Sequence, residues 1–277
     1  MSEPGKESAA IVLDCHDHGE SDQIVTFYCR DIGRMTGIAK GAKRSQKRFV
    51  NKLELFSLLF IRYTEPRRGN LVFIVEAELG ESFIHLRQSL PLYMAATVMR
   101  ELVLVATLDL DGDDGLFSLL QWGLQSLDTG RPAMAVLALF QIKFFEQIGY
   151  QPNLSSCLRC NQPFGAAQEY GFDSRAGGIV CGACQEERGQ SPVMPLSRGT
   201  VRILVSAQNQ PLNRLHRLSL SGAGLREALV LLYAYGRHLL QREICSLKLL
   251  SDSSWQGYGQ GATRRRFTDI ATPRCAQ

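Results

Sequence analysis

Four cysteines in the middle of the chain, Cys157, Cys160, Cys181 and Cys184, form two C-x2-C pairs, CLRC and CGAC, separated by 20 residues. Thiolates spaced in this way can close a tetrahedral shell around one zinc ion, each pair turning on a tight knuckle. The flanking sequence supplies the turns: Asn161-Gln162-Pro163 follows the first pair and Gly177-Gly178 precedes the second. Four thiolates leave no open position for a water nucleophile, so the metal would hold a fold rather than do chemistry. The expectation is one structural Zn2+ per chain in a ribbon over about residues 153–188. Two disulfides, or unpaired thiols, are the competing reading of the same residues.

The second constellation is one of charge. Lys40, Lys43, Arg44, Lys47, Arg48 and Lys52 place six cations and no acid within 13 residues. Cations spread along a loop can follow a phosphate backbone and release its counterions. The plain alternative is a solvated loop whose charge aids only solubility. Arg34, in the turn Asp31-Ile32-Gly33-Arg34, joins these six as a candidate DNA contact. Phe27, Tyr28, Phe49 and Tyr63 are nearby aromatics. Each fits a strand core better than a base-stacking platform, with Phe49, inside the loop, the best exception. Arginines recur later in the chain: Arg198 and Arg202, Arg214 and Arg217, then Arg226, Arg237 and Arg242 around the apolar run 229–240. They read either as the wet face of core helices or as a docking surface for an acidic peptide or a second DNA path.

Enzyme motifs fail by contrast. The stretch Gly37 to Lys43 lacks the spacing of a phosphate-binding loop, and Gly257, Gly259 and Gly261 lack that of a dinucleotide fold. His18-Gly19-Glu20 matches half of a zinc-deaminase signature, but no proline precedes either cysteine pair, and the second pair would fill the catalytic position. No Ser/His/Asp set stands out. The pattern is that of a binding protein, not an enzyme.

Elements of both kinds must carry these residues. A chain of 277 residues with 45% hydrophobic content is expected to form more than one domain with a substantial core. The N-terminus has no apolar core or cleavage site, and runs such as Met134 to Ile142 are too short to span a bilayer. A reducing cytosol, where thiols hold metal rather than pair, is the expected compartment. Cys15, Cys29, Cys245 and Cys275 are scattered and read as ordinary thiols. The net charge of +4 hides alternation: residues 81–150 carry 4 Lys/Arg against 8 Asp/Glu, and residues 191–250 carry 8 against 2.

Periodicity predicts strands near Ile11 to Cys15, Gln23 to Cys29, Met35 to Lys40, Lys52 to Tyr63 and Leu71 to Glu78. Five short strands with one long basic loop fit a small Greek-key barrel of OB type, although an open five-stranded sheet gives a similar pattern. Helical spacing follows over Phe83 to Thr107 with Pro91 near a start, Asp113 to Leu127, Pro132 to Ile148, Ser197 to Ala207 and Leu225 to Leu250. The expected class is therefore α+β: an OB-type barrel over residues 1–80, then a mostly α-helical domain over 81–250 carrying the zinc ribbon. Residues 251–277, with Arg264-Arg265-Arg266, read as a loose basic tail.

The order of these pieces is also familiar. AAIVLDCHDHGESDQIVTFYCRDIGRMTGIAKGAKRSQKRF is similar to the start of the RecO family of bacterial DNA-repair proteins. There a strand, a G-E-x-D turn (here Gly19-Glu20-Ser21-Asp22), a second strand and an A-K-G-A-[KR]-[KR] segment follow in that order. FFEQIGYQPNLSSCLRC resembles the family's helix leading into its zinc segment, GGIVCGAC its second knuckle, and Arg237 through Leu249 its C-terminal helix. The resemblance implies an ATP-independent recombination mediator in the cytoplasm and at the nucleoid, with no membrane partner. Such a mediator binds single- and double-stranded DNA and anneals complementary strands. It engages the acidic C-terminal tail of single-stranded-DNA-binding protein and, with RecR, helps load RecA. Carried over by position, the loop Lys40 to Lys52 is the main DNA contact. A zinc-ribbon transcription or RNA-associated factor would use the same basic surfaces, and a zinc hydrolase or deaminase is the remaining alternative.

Overall fold

The computed structural model describes residues 5–45, 47–65, 71–167, 169–185, 193–220 and 222–247. The basic tail expected at 251–277 lies outside the described residues. Five strands come first: β1 (Lys6–His18), β2 (Asp22–Cys29), β3 (Gly33–Ala39), β4 (Leu58–Thr64) and β5 (Val72–Glu81). They close into a barrel in the order β1-β2-β3-β5-β4, which settles the choice between barrel and open sheet. Neighbours run antiparallel except β3 and β5, which are parallel with Gly37 beside Val72 and Ile38 beside Phe73.

The pleat explains which residues line the barrel. Val25, Phe27, Met35, Leu59, Ile61 and Ile74 alternate with outward positions and fill the interior. β1 is apolar on both faces because both are covered. Ala10 and Val12 point into the barrel, while Ile11 and Leu13 join the core of the helical body with Tyr28. One sequence expectation needs correction here. The strand predicted over Lys52 to Tyr63 starts only at Leu58; the preceding residues end a long crossing from β3.

Three helices follow: α1 (Leu90–Ala106) with Pro91 in its first turn, α2 (Asp114–Asp128) and α3 (Ala133–Gln147). Asp113 caps α2 by accepting from the N–H groups of Gly115 and Leu116 at 2.7 and 3.2 Å. Every residue of α3 from Val136 to Phe145 is buried, so this helix is the axis of the body. Its one buried cation, Lys143, is satisfied by Glu146 at 2.8 Å and the Gln208 carbonyl at 2.6 Å. A small sheet, β6 (Tyr170–Asp173), β7 (Gly178–Cys181) and β8 (Met194–Leu196), is ordered β7-β6-β8, with the short α4 (Gly182–Gln185) after β7. Then come α5 (Arg198–Asn209) and α6 (Gly222–Leu240), and the described part ends in helical residues 245–247. The last helix was expected to reach Leu250. It breaks after Leu240, where Gln241 takes a left-handed conformation at φ 49°; helical residues resume at 245–247, and 248–250 lie outside the described residues.

Barrel and helices meet along a tight seam. Gly33 at φ 79° lies against the 111–112 backbone so closely that a Cβ there would stand 2.2 Å from the Asp111 carbonyl oxygen. Arg34 donates from Nε to Asp109 at 2.6 Å and from Nη1 to the Leu104 carbonyl at 2.8 Å. Arg30 bonds Asp114 at 2.8 Å and covers the Phe117 ring, and Arg100 reaches the Leu13 carbonyl at 2.8 Å. Gly33→Ala should therefore cost at least about 2 kcal/mol in urea unfolding, combining backbone strain with a clash against main chain. Gly19→Ala, at φ 62° with nothing within 4 Å, should cost only about 1 kcal/mol. Equal losses at the two sites would contradict the seam.

Candidate metal centre and nucleic-acid interface

The four cysteines come from two knuckles on the small sheet. Cys157 and Cys160 lie in a turn closed by the Asn161 N–H donating to the Cys157 carbonyl at 3.0 Å, with Asn161 at φ 58°. Cys181 ends β7, and Cys184 lies one turn later in α4. Their four sulfur atoms all fall within 4.8 Å of one another, and Cys160 and Cys181 approach to 3.6 Å. No histidine, aspartate or glutamate among the described residues belongs to the group.

The electrostatics of the cluster favour a cation. Burial opposes ionisation of Cys157, yet backbone N–H groups of Cys160, Cys181 and Arg159 outweigh it and bring the thiol down to about 6. The Arg159 and Cys181 N–H groups lie 3.5 and 3.4 Å from its sulfur. Cys184 is pushed up to about 12, first by its bond with Cys181 and then by burial. One thiolate forms easily, and its neighbours then resist a second negative charge. A soft divalent cation relieves that conflict, and a four-sulfur donor set at this separation fits one. The four cysteines can thus bind a metal, with no position left for a substrate.

The cluster is stitched to the body. The Leu158 N–H donates to the Ile179 carbonyl at 2.9 Å, and the Ile179 N–H to that of Asn153 at 3.0 Å. Phe172 of β6 packs edge-on against Tyr235 of α6, whose other neighbour is Phe145 of α3, and the Tyr235 hydroxyl donates to the Tyr150 carbonyl.

The second site is the segment between β3 and β4. It was expected to be one long basic loop, and its backbone is held by local turns. Gly41 turns at φ 66° into a 3-10 turn over Ala42–Arg44, and the Asp22 carboxylate takes the Gly41 N–H at 2.8 Å. That bond, with a second from Ser21, holds the Asp22 carboxyl below its ordinary range. The Ser45 hydroxyl accepts from the Arg48 and Phe49 N–H groups. Phe49, 3% exposed, and Leu53 plug the barrel, so Phe49 is core and no stacking platform. Phe27, Tyr28 and Tyr63 are likewise buried.

Lys52 points inward. Its ammonium donates to the carbonyls of Lys47, Arg48 and Ala77 at 3.0, 3.2 and 2.7 Å. The outward set is Lys40, Lys43, Arg44, Lys47 and Arg48, all exposed. Two already have acidic neighbours: Lys43 meets Asp17 at 2.8 Å, which keeps that carboxyl below its usual range, and Arg44 meets Glu20 at 3.6 Å. Arg48 donates to the Lys40 and Val75 carbonyls. Arg34 is not brought to this cluster. It is the second residue of the seven-residue β3 that ends before Lys40, roughly 20 Å along the strand, and its guanidinium serves the seam. The ring that the sequence reading passed over is Phe73, 38% exposed, with the Lys40 ammonium 5.0 Å from its centroid. Its signal was present in Val72-Phe73-Ile74-Val75, where strand alternation turns Phe73 outward.

The later arginines divide. Arg198 donates to the Gly165 carbonyl and Arg237 is half-buried, while Arg202, Arg214, Arg217, Arg226 and Arg242 are exposed. Among the described residues no helix is long and apolar enough to cross a membrane.

The chain thus joins a closed five-stranded barrel, crossed at one end by a cationic segment, to a helical body with a four-cysteine cluster. The model of the recombination protein O N-terminal family matches residues 1–83, and that of its C-terminal family matches residues 87–248. DNA repair protein RecO of Syntrophus aciditrophicus is 31% identical over 251 residues, 91% of this chain and 97% of that protein. Its counterpart in Syntrophobacter fumaroxidans is 34% identical over 249 residues, covering 88% and 96%. That of Anaeromyxobacter sp. strain K is 31% identical over 242 residues, covering 87% and 94%. The chain belongs to the recombination protein O family of DNA repair proteins.

Two outcomes follow from the geometry. Protein purified under reducing conditions should carry one tightly bound metal ion, and Co(II) replacement should give thiolate charge-transfer and tetrahedral d–d bands. Cys181→Ser should lose the metal and cooperative unfolding together, because binding and folding of such a site share one free energy. A metal-free, cooperatively folded parent protein would contradict this. Lys52→Met should cost about 1–3 kcal/mol by stranding three carbonyls, whereas Lys47→Met should stay within about 0.5 kcal/mol. Equal small effects would remove the inward role of Lys52.

Proposed function

We propose that this chain is a non-catalytic DNA repair and recombination mediator that holds single- and double-stranded DNA by their phosphates and anneals complementary strands. The observation that carries the reading is the folded crossing loop, which presents Lys40, Lys43, Arg44, Lys47 and Arg48 on one end of the barrel beside the exposed ring of Phe73. Cations on a fixed scaffold contact phosphate with little regard to sequence. Neutralising two strands at once lowers their mutual repulsion, which is the physical requirement for annealing. Phe73 offers one stacking surface for an unpaired base.

The proposal divides the chain into a barrel unit (1–80), a helical unit (81–250) with the ribbon at about 153–188, and a basic tail (251–277). The ribbon metal is Zn2+, one per chain; bound, it supplies structural cross-linking. Cys157, Cys160, Cys181 and Cys184 orient the two knuckles, and no reaction is assigned to them. The exposed arginines of α5, of the turn Leu212–Arg217 and of α6 dock the acidic C-terminal tail of single-stranded-DNA-binding protein. With RecR, the chain then helps RecA onto the coated strand. The working place is the cytoplasm and nucleoid.

Two measurements test the reading. Replacing Lys43, Arg44, Lys47 and Arg48 together should weaken binding to every sequence alike and flatten the plot of log K against log salt by about 3 for single strands. The metal and the thermal transition should persist, because exposed charges contribute little to stability. A quadruple variant that binds like its parent at two salt concentrations would move the DNA site elsewhere. Separately, Arg202→Glu with Arg217→Glu should lower affinity for an acidic, apolar-ended peptide at least about fivefold, and salt should weaken the parent's binding. Unchanged affinity would remove the helical face as the docking surface.

A further inference from the structure

The barrel has a second face of opposite character. A groove of about 450 Å³ runs over the outside of β1 and β4, floored by Ala9 and Phe60. Phe60 is 55% exposed there. Glu7, Asp31 and Glu78 rim the groove, and none has a cationic partner among the described residues. The two arginines present are already committed: Arg62, opposite Glu7 in the strand register, bonds Glu76, and Arg30 bonds Asp114. The groove therefore repels phosphate and favours a cationic segment with an apolar anchor.

The chain itself contains such a segment. Arg264-Arg265-Arg266 is followed directly by Phe267. The path toward it leaves the described structure next to the barrel. The Cys245 and Ser246 N–H groups donate to the Glu101 carboxylate at 2.8 and 2.9 Å, and the adjacent Arg100 holds the Leu13 carbonyl of β1. From Leu13 back to Glu7 along the same strand is about 20 Å. The 17 residues from Leu247 to Arg264 can reach at most roughly 55–60 Å, which is ample.

We propose that residues 264–267 dock in this groove of their own chain, the three arginines against Glu7, Asp31 and Glu78 and the Phe267 ring against Phe60. Tethering places the segment at about millimolar effective concentration, enough for a few charge contacts and one ring to fill the groove.

The test uses the full chain. With Arg264, Arg265 and Arg266 all changed to Lys, charge is kept and zero-length carbodiimide coupling should join these lysines to Glu7, Asp31 or Glu78. In the otherwise unaltered chain, trypsin should cut at residues 264–266 about tenfold more slowly than in a Glu7→Gln/Asp31→Asn/Glu78→Gln variant, the ratio expected when effective concentration exceeds the docking constant by that factor. Phe60→Ser, which removes only the ring, should raise the cutting rate in the same direction. Unchanged metal content and thermal transition exclude misfolding as the cause. Coupling to other carboxylates, or equal cutting rates in parent and variants, overturns the proposal and leaves the groove to a separate protein. Coupling between isotopically distinct chains in a mixed sample overturns it in favour of a second copy.

Discussion

Closure of the five-stranded sheet is the constraint from which the rest follows. β3 and β5 are neighbours and run parallel, so the chain leaving Ala39 cannot turn back by a short hairpin. It must cross the end of the barrel to reach β4, which pairs with both β5 and β1 and so abolishes the sheet edges. That crossing covers an open end of the core, and Phe49 and Leu53 fill it. Backbone drawn over an apolar opening needs donors for its carbonyls, and the Lys52 ammonium serves two of them, Lys47 and Arg48, while bonding the Ala77 carbonyl of β5. The other cations are thereby fixed on the outer side of a folded cover. One basic run in the sequence serves two purposes, core closure and charge display, divided by which way each side chain points.

The helical body solves a different problem. β6, β7 and β8 have only four, four and three residues and cannot build a core of their own. They lean on α3 and α6 through Phe172, Tyr235 and Phe145, and the sulfur cluster lies where β7 ends at Cys181. The buried axis α3 thus connects the ribbon to the helices that pack on β1. Arg34, Arg30 and Arg100 complete the junction with the barrel, each by a directional bond across the seam. The barrel and the arginine-bearing helices are consequently held in one fixed relation.

Much of this was legible in the residue pattern, for identifiable reasons. The cysteine spacing marked the cluster because ligand knuckles impose a fixed local geometry. Asp113 and Pro91 marked helix starts because capping is local chemistry. What stayed hidden depended on distant partners. Nothing local to Lys52 announces that Ala77, 25 residues later, will offer it a carbonyl. Arg34 looked like a surface cation until the fold placed Asp109 beside it. The last helix read as unbroken because its apolar spacing continues past Leu240, whereas the chain turns at Gln241 and the next helical residues, 245–247, are capped by Glu101 of α1. The acidic groove was invisible because its lining comes from four separate parts of the barrel sequence.

The central claim is that a folded, outward-facing set of cations on the barrel end meets DNA phosphate while Lys52 holds the cover from within. Amine acetylation of the native protein, read by mass spectrometry with and without an unstructured single strand, tests it most directly. The account predicts that Lys40, Lys43 and Lys47 label readily in the free protein and lose reactivity when the strand binds, with Lys52 slow in both states. Strand binding that leaves Lys40, Lys43 and Lys47 as reactive as before would contradict it.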